Sequence, residues 1–282
     1  CGPQCVRFNV MDRERHMADR QMIDLRELFE RINRAVGGML DSYEFSKIPV
    51  PSNMLRRFVF EGKEIAVDVH AWQGNELAFG RVIHLDAGDD LQIFNLLFYP
   101  IVSSPAPAIM CEILAVNQQV QLFVLDAYPT NAKHHVESVL RPIREAKEQL
   151  AGREIIRDIP EWGEKVFSKH ALFLRPQEGG KIEHVAELVL LLESLFEPWL
   201  QSLPQDEGEH EVDDMTVLRR KRHILVHAQH EPLGPYLARI ADPEWMRLFL
   251  MEILFPVWLK EGDVPAPWLE QSPLQKTVQY NS

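Results

Sequence analysis

Asn95 and Glu112 are polar residues inside two segments whose other residues are almost all apolar. Alternation along a β-strand places each of them on the same face as aliphatic neighbours two positions away. A carboxyl group in such low-dielectric surroundings has a raised pKa and stays protonated near neutral pH. Glu112 is therefore a candidate proton donor, and the alternatives are a glutamate at a pocket rim or one paired with an arginine.

His84 and Asp86 lie two residues apart in a third apolar segment, so they share a face of the predicted strand. Asp86 also begins an Asp-Ala-Gly-Asp sequence, which is typical of a turn. A single histidine in a strand usually has its hydrogen bonds satisfied within the sheet. The residues alone therefore leave a structural role and a functional role open for both side chains.

His223, His227 and His230 follow one another at helical spacing in a predicted helix. The first two are four residues apart and could bind zinc on one helix face. The glutamate that accompanies such a pair in the H-E-x-x-H motif is absent, and we predict no metal site.

The densest basic run, Arg219-Arg220-Lys221-Arg222, precedes these histidines. Its simplest interpretation is a solvated helix face. In a chain whose formal net charge is -12, it is also a candidate docking patch for an acidic partner. We expect that patch to include Arg141, Arg144 and Lys147, which fall on one side of an earlier predicted helix.

The composition excludes several classes of protein. The 282 residues, of which 46% are hydrophobic and 26% charged, are typical of a globular chain with a sizeable core. The acidic balance argues against nucleic-acid binding, and no segment approaches the roughly 20 apolar residues of a membrane span. With 3 cysteines, the chain fits a reducing compartment. No glycine-rich phosphate loop, G-x-S-x-G or Cys/His nucleophile pair is present, so a redox enzyme of this sequence would take its electrons from elsewhere.

These side chains need a sheet with helices around it. Short segments rich in Val, Ile, Leu and Phe alternate with turn sequences, which predicts an antiparallel meander. The predicted strands are Arg57–Phe60, Glu64–Ala71, Phe79–Asp86, Leu91–Tyr99, Ala108–Val116, Val120–Ala127 and Lys169–Leu174. The predicted helices are Met11–Leu40, ended by Gly37-Gly38, and then Asn131–Leu150, Ile182–Leu203, Val212–His230 and Pro243–Leu259. Strands bracketed by helices indicate an α+β fold. We expect a single domain over residues 1–282, with flexible tails at 1–10 and 262–282.

Several short segments occur together in a recognisable order and spacing. They are Arg81–Asn95, Tyr99-Pro100 followed by Pro107 and Glu112, Val124–Pro129, Trp162-Gly163 through Pro176, and Glu231-Pro232 followed by Trp245 and Leu254–Pro256. They resemble the ferredoxin-dependent bilin reductases. The first segment is most similar to the branch that forms 15,16-dihydrobiliverdin and phycoerythrobilin, and the segment ending at Pro176 is similar to phycocyanobilin:ferredoxin oxidoreductase.

This resemblance implies a three-layer α/β/α sandwich with one central antiparallel sheet flanked by helices. It implies an oxidoreductase acting on CH-CH groups of a bilin, which would lie between the sheet and the C-terminal helices. Electrons would come from the 2Fe-2S cluster of reduced ferredoxin by a radical mechanism, with no permanently bound cofactor. The further expectations are a monomer, a heme oxygenase as an upstream partner, no nucleic acid, no membrane, and either the plastid stroma after removal of a transit peptide or the bacterial cytoplasm.

The resemblance also assigns roles to residues. Glu112 falls where the family has its central catalytic Asp, and Glu231 where most members have a second Asp. Asn95 matches a position that is Asn in the phycoerythrobilin-forming members and His in the phycocyanobilin enzyme, and Asp86 matches an acid near the pocket. The expected catalytic residues are thus Glu112, Glu231, Asn95 and Asp86. The expected substrate-binding residues are Arg175, which would pair with a bilin propionate, His84 and His230.

Glutamate in place of aspartate at positions 112 and 231 is the main departure from the family pattern. Each replacement moves the acid about one methylene further out, and positioning errors near 1 Å can cost about a hundredfold in rate. The leading hypothesis is a reductase of biliverdin or a dihydrobiliverdin. The alternatives are a bilin-binding carrier or regulatory protein that no longer reduces its ligand, and a protein that shares only the scaffold.

Overall fold

The computed structural model describes residues 25–43, 45–50, 56–60, 62–129, 136–150, 159–175, 184–204, 214–231 and 233–256. The expected tails, at 1–10 and 262–282, lie outside the described residues.

Eight strands form one antiparallel sheet in the part of the chain that is described. They are β1 (Ser46–Lys47), β2 (Arg56–Phe60), β3 (Lys63–Gln73), β4 (Leu77–Asp86), β5 (Leu91–Pro100), β6 (Ala108–Val116), β7 (Gln119–Tyr128) and β8 (Leu172–Leu174). The spatial order is β1-β3-β4-β5-β6-β7-β8, and β2 also pairs with β3. The predicted meander is confirmed, because each strand from β2 to β7 pairs antiparallel with the next strand in the chain. The prediction rested on the short turns, which can join only antiparallel neighbours.

Helices cover both faces of the sheet. They are α1 (Leu25–Ser42), α2 (Glu137–Leu150), α3 (Val185–Ser202), α4 (Asp214–His230), α5 (Leu233–Ile240) and α6 (Pro243–Phe249). Residues of α1, α2 and α3 share one buried core with Phe94 and Ile113 of the sheet. Residues of α4, α5 and α6 share a second core with Ile83 and Leu97, on the other face. The predicted three-layer α/β/α sandwich is therefore confirmed.

Tight turns fix which residues lie opposite each other on the central strands. Gly88, between β4 and β5, has φ 69°, a left-handed conformation that glycine adopts without steric strain because it has no Cβ atom. Asn117 and Gln118 join β6 to β7 with φ of 50° and 60°, as in the two-residue turns that suit twisted hairpins. The resulting register places Asn95 directly opposite Glu112.

The helical predictions differ from the structure at several points. Helix α1 continues through Gly37 and Gly38 to Ser42 instead of ending there. The described part of the predicted helix Pro243–Leu259, which ends at residue 256, contains α6 and a π-helical turn, Leu250–Leu254. Helix α5 was not predicted at all. No described helix combines the length and the apolar character needed to cross a bilayer.

Candidate active site

Glu112 occupies the middle of β6 and is 4% exposed. Strand alternation places it on the face of Met110, which belongs to the core beneath α4, α5 and α6. Its neighbours across the sheet are Asn95 on β5 and Val124 on β7. The Oε1 atom of Glu112 is buried and has no hydrogen-bond partner among the described residues. The acid predicted from the sequence is thus buried at the sheet's centre with one oxygen unused.

Arg81, Asn95 and Glu231 form a hydrogen-bonded network beside Glu112. Arg81 projects from β4, is fully buried, and donates from Nη1 to Asn95 Oδ1 at 2.6 Å. Its Nε donates to the carbonyl oxygen of Leu254 at 2.9 Å. Asn95 Nδ2 in turn lies 3.5 Å from Glu231 Oε1, to which it donates. The network therefore connects two strands to the ends of two helical segments.

Glu231 follows the last residue of α4 and is fully buried. Its Oε1 also accepts a hydrogen bond from the backbone N–H of Leu233 at 3.3 Å. Its Oε2 lies 3.7 Å from Nε2 of His227, one helical turn earlier. The chain leaves α4 at this point, so the carboxyl group is held where helix and sheet meet.

Burial changes the protonation of this cluster. It raises the pKa of Glu112 well above the ordinary value, the charge of Glu231 raises that pKa further, and Arg81 and Arg175 lower it. Burial also raises the pKa of Glu231, and Arg81 opposes this shift. The pKa of Arg81 is lowered to about 10 by burial, so its guanidinium is still charged at neutral pH. Glu112 is accordingly a protonated acid in an apolar site, which can donate a proton.

Two histidines of α4 are buried near the network. His223 Nδ1 is hydrogen-bonded to the hydroxyl group of Tyr99, and the ring of Tyr128 stacks on His223 with centroids 4.0 Å apart. Burial lowers the pKa of His223 to about 3 and that of His227 well below its ordinary value. Both rings are therefore neutral at physiological pH and add no positive charge to the site.

The sequence left open a zinc site on the face of α4 that carries His223 and His227, with His230 following at helical spacing. Whereas the first two are buried, His230 is exposed and stacks on Trp162, with ring centroids 4.4 Å apart. Among the described residues, no group of three or more His, Cys, Asp and Glu side chains is arranged to hold a metal ion.

Arg175 lies on the same side of the sheet as Glu112, at the exposed edge. Its guanidinium carbon is 5.4 Å from the ring centroid of Phe173. Phe173 is opposite Val124, which is opposite Glu112, so the three residues form one row across the strands. The positive charge of Arg175 also lowers the pKa of Glu112. Of the predicted binding residues, Arg175 thus lies on the same face of the sheet as the acid.

His84 and Asp86 lie on the opposite face of the sheet, beneath α1. The ring of His84 contacts Phe29 of α1, with centroids 4.5 Å apart. Asp86 accepts a hydrogen bond from the backbone N–H of Gly88 at 2.9 Å and pairs with Arg26 at 2.8 Å. Both side chains line a cavity of about 180 Å³ on that face. The structure therefore does not bring His84 and Asp86 together with Glu112, Asn95 and Glu231. The hydrogen bond from Gly88 N–H to Asp86 supports the interpretation of Asp86 as a turn residue.

The predicted basic patch is also divided by the sheet. Helix α2, which carries Arg141, packs in the core of α1 and α3, whereas α4 packs on the other face. Arg220 is fully buried and donates to the carbonyl oxygen of Pro100 at 2.8 Å. The expectation of one exposed patch that includes Arg220 and both helices is therefore wrong. Arg220 is buried, and α2 and α4 lie on opposite faces of the sheet.

Sequence reasoning missed Arg81 and Tyr99 as members of the site. The signal for Arg81 was available, because a charged residue within Phe79–Ile83 interrupts an apolar strand in the same way as Glu112 does. Alternation alone would have placed it on the face of Ile83. The contact of Tyr99 with His223 joins residues 124 positions apart and leaves no local signal.

The sequence profile of one family, described as ferredoxin-dependent bilin reductase, matches residues 30–256. The chain belongs to this family. It is therefore an oxidoreductase family member, and the matched region contains every strand from β1 to β8 together with Arg81, Asn95, Glu112 and Glu231.

Individual bilin reductases are distant in sequence. The phycoerythrobilin:ferredoxin oxidoreductase of Nostoc punctiforme is 22% identical over 79% of this chain and 91% of its own length. The 15,16-dihydrobiliverdin:ferredoxin oxidoreductase of Gloeobacter violaceus is 24% identical over 76% and 88%. A solved structure of tomato phytochromobilin synthase, in complex with biliverdin, matches with a TM-score of 0.61 and 13% identity over 90% of this chain and 89% of that one. The structural match shows that the fold is shared.

Proposed function

We propose that this protein reduces a linear tetrapyrrole, biliverdin or a dihydrobiliverdin, with electrons from reduced ferredoxin. Saturating one double bond takes two electrons and two protons, and a 2Fe-2S ferredoxin supplies one electron at a time. The observation that carries the proposal is the buried carboxyl group of Glu112, whose raised pKa and unpartnered Oε1 suit a proton donor.

The surrounding residues have complementary roles in this proposal. Glu112 donates a proton to the bilin after an electron arrives, and Asn95 orients the bilin and the network through its hydrogen bonds. Arg175 pairs with a propionate, for which a planar guanidinium is well suited. Asn95, where the phycocyanobilin enzyme has His, favours reduction of one double bond over the four-electron phycocyanobilin reaction.

Substrate entry requires movement of the α4–α6 layer. The crevice between the sheet and this layer, lined by Leu97, Tyr99, Ile224, Leu254 and Phe255 among others, has no room for a water molecule. A tetrapyrrole is far larger than a water molecule. We therefore expect bilin binding to displace the segment around Leu254 and Phe255, which follows α6 and covers Arg81.

The direct test is an anaerobic assay with biliverdin or 15,16-dihydrobiliverdin and reduced ferredoxin, followed by absorbance and by chromatographic identification of the product. Glu112→Gln keeps the shape of the side chain, but its amide has no acidic proton to transfer to the bilin. We expect this variant to bind the bilin with an unchanged spectrum and to turn over at least about a hundredfold more slowly, since a positioned general acid contributes about 10²–10⁴-fold.

The matched control is Glu145→Gln, which alters an exposed glutamate of α2 on the other side of the sheet. It should turn over like the parent. Near-parental turnover of Glu112→Gln would contradict the role of Glu112 as the donor. A bilin spectrum that never changes in the parent would favour the second candidate, a non-reducing bilin carrier, which the two glutamates at aspartate positions of the family support.

A further inference from the structure

Arg81 is a buried cation whose surroundings are only partly satisfied. Two of its guanidinium nitrogens donate, one to Asn95 Oδ1 and one to the carbonyl oxygen of Leu254. The third, Nη2, is buried without a hydrogen-bond partner among the described residues. A buried charge of this kind is costly unless an opposite charge lies close by.

Two carboxyl groups lie near this cation, and their hydrogen bonds differ. Arginine can only donate, so its bond to Asn95 fixes the amide with Oδ1 towards Arg81 and Nδ2 towards Glu231. Glu231 Oε1 therefore accepts from Asn95 Nδ2 and from the backbone N–H of Leu233. Glu112 Oε1 receives no donor. Glu231 Oε2 is likewise buried without a hydrogen-bond partner among the described residues. The two carboxyl groups therefore differ in the pair of donors to Glu231 Oε1, and this pair favours the anion at Glu231.

We infer that Arg81 fixes at one the number of protons that Glu112 and Glu231 hold together, so that Glu231 is ionised beside the guanidinium and Glu112 carries the proton. Asn95 contributes to this difference because its amide, held by Arg81, presents a hydrogen-bond donor to Glu231. Arg81 is thus a positioning residue. It does not touch the bilin, and it affects bilin reduction by determining which of the two carboxyl groups holds a proton.

The other titratable groups near the pair do not alter this balance. His227 lies 3.7 Å from Glu231 Oε2, but burial keeps its ring neutral. Tyr99 is buried and its pKa is raised well above the ordinary value, so it is neutral as well. Arg175 is exposed, where solvent weakens its effect. One cation and two carboxyl groups leave one carboxylate and one acid as the low-energy state.

The inference rests on the proposed function in one respect, because it treats the proton of Glu112 as the one that is transferred. The site then holds a single ready proton, whereas each reduced double bond takes up two. The second must reach the site from outside after the first transfer, so reprotonation of Glu112 becomes a separate step in every reduction.

Infrared spectroscopy of the protein without bilin tests the proton count, because a protonated carboxyl group has a carbonyl stretch that a carboxylate lacks. Spectra are recorded at pH 8, where Asp126, with a pKa of about 6, is ionised. We expect one protonated-carboxyl signal in the parent, and its loss in Glu112→Gln. Arg81→Met, which removes the charge at similar length, should show two such signals. Arg81→Lys, which restores the charge, should show one.

Glu231→Gln supplies an independent measurement if the Arg81 variants do not fold. Removing an anion beside Glu112 should shift the loss of the Glu112 signal to lower pH by at least about one unit, since like charges raise each other's pKa. The control Glu64→Gln alters an exposed glutamate of β3 and should shift nothing.

Two results would overturn the inference: a single signal in folded Arg81→Met, or no pH shift in Glu231→Gln. These outcomes do not depend on whether the protein reduces a bilin, which the anaerobic assay tests separately. A chain that never reduces a bilin but shows the expected signals would retain the inference and lose the function. An active reductase with the contrary signals would do the reverse.

Discussion

Burial alone does not determine what a carboxyl group does in this protein. Glu112, Glu231 and Asp126 are all buried, and desolvation raises the pKa of each. Asp126 accepts hydrogen bonds from both the N–H and the hydroxyl group of Ser168, and its pKa rises only to about 6. Glu112, with an oxygen that receives no donor, is shifted further from its ordinary value. The partners of each acid, rather than its depth, decide which acid keeps a proton at neutral pH.

Arg175 allows binding and chemistry to be separated. If it pairs with a propionate, Arg175→Ala should weaken bilin binding by about tenfold or more, since a hydrogen bond to a charged group contributes about 1.5–3 kcal/mol. The rate constant kcat should change little, because a group that binds substrate and transition state equally affects KM. Titration of the bilin spectrum and steady-state kinetics measure the two quantities. Arg141→Ala, on the other face, is the control, and a lower kcat with unchanged affinity would argue against this role.

Local pattern was sufficient to predict part of the site. Alternation placed Asn95 and Glu112 each among the aliphatic residues of one face of its own strand, and the register of the sheet shows that the two are opposite each other. It could not show that Glu231 approaches them, because that contact joins residues 136 positions apart. Nor could it show which face of the sheet the C-terminal helices cover. The family resemblance grouped His84 and Asp86 with Glu112, and the structure places them on the other face.

At the level of elements, the strands were predicted more accurately than the helices. Hairpin turns such as Asn117-Gln118 mark both ends of a strand in the sequence. Helix α1 shows the opposite case, because Gly37 and Gly38 are poor helix formers and yet lie inside it. Burial of Val36 and Leu40 on either side supports the helix through its packing, and packing of this kind is not visible in propensity.

Two glycines test this balance between packing and propensity. A Cβ atom on Gly80 would lie 2.3 Å from the ring of Phe98, which packs edge-on against Phe196 and Trp199. Gly80→Ala should therefore lower the free energy of unfolding by about 1–3 kcal/mol, as overpacking does. Gly38→Ala meets nothing within 4 Å in α1 and should raise it by about 1 kcal/mol. Denaturant unfolding of both variants measures the difference, and equal effects would refute the explanation.

The segment that precedes β8, residues 159–171, is hydrogen-bonded to the sheet through a buried acid. Asp126 of β7 binds Ser168 in the segment that carries Trp162 and Val166. That segment packs against α4, where Trp162 stacks on His230. The protonation of Asp126 therefore affects how firmly the segment over the helical layer is held.

Asp126 should make stability depend on pH. Its pKa is raised from 3.8 to about 6 in the folded protein, so folding favours the protonated form, and the stabilisation is lost as the pH rises through about 6. Asp126→Asn mimics the protonated form at every pH. Between pH 4.5 and 7.5 the parent should lose about 2 kcal/mol of unfolding free energy relative to this variant. Ser168→Ala removes the hydroxyl donor to the carboxylate but keeps the backbone N–H donor, and it should move the loss to higher pH. A constant difference between the parent and Asp126→Asn would rule the effect out.

At the scale of the whole molecule, charge is unevenly distributed. The chain carries -12, and its ferredoxin partner is expected to be acidic too, so association needs a local basic surface. The start of α4 offers one in which the side chains of Met215 and Leu218 are 63% and 59% exposed. Beside them, Arg222 is exposed and Arg219 is half-buried. The positive charges of both arginines lower the pKa of Tyr128, whose ring stacks on buried His223. This surface, here called the α4 patch, leads directly to the face that contains Glu112.

We expect ferredoxin to dock on the α4 patch. Reversing the charges in Arg219→Glu/Arg222→Glu should slow bilin reduction at least about tenfold at low salt, because charge complementarity raises association rates by about 10–10³-fold, and should leave the bound-bilin spectrum unchanged. Parental turnover should also fall as the salt concentration rises towards about 0.5 M, where screening shortens to a few ångströms. Arg141→Glu/Arg144→Glu reverses the same number of charges on α2, on the other face of the sheet, and should retain most of the activity. If the α2 variant is the slower of the two, or if turnover does not depend on salt, ferredoxin docks elsewhere and the α4 patch is a solvated helix face.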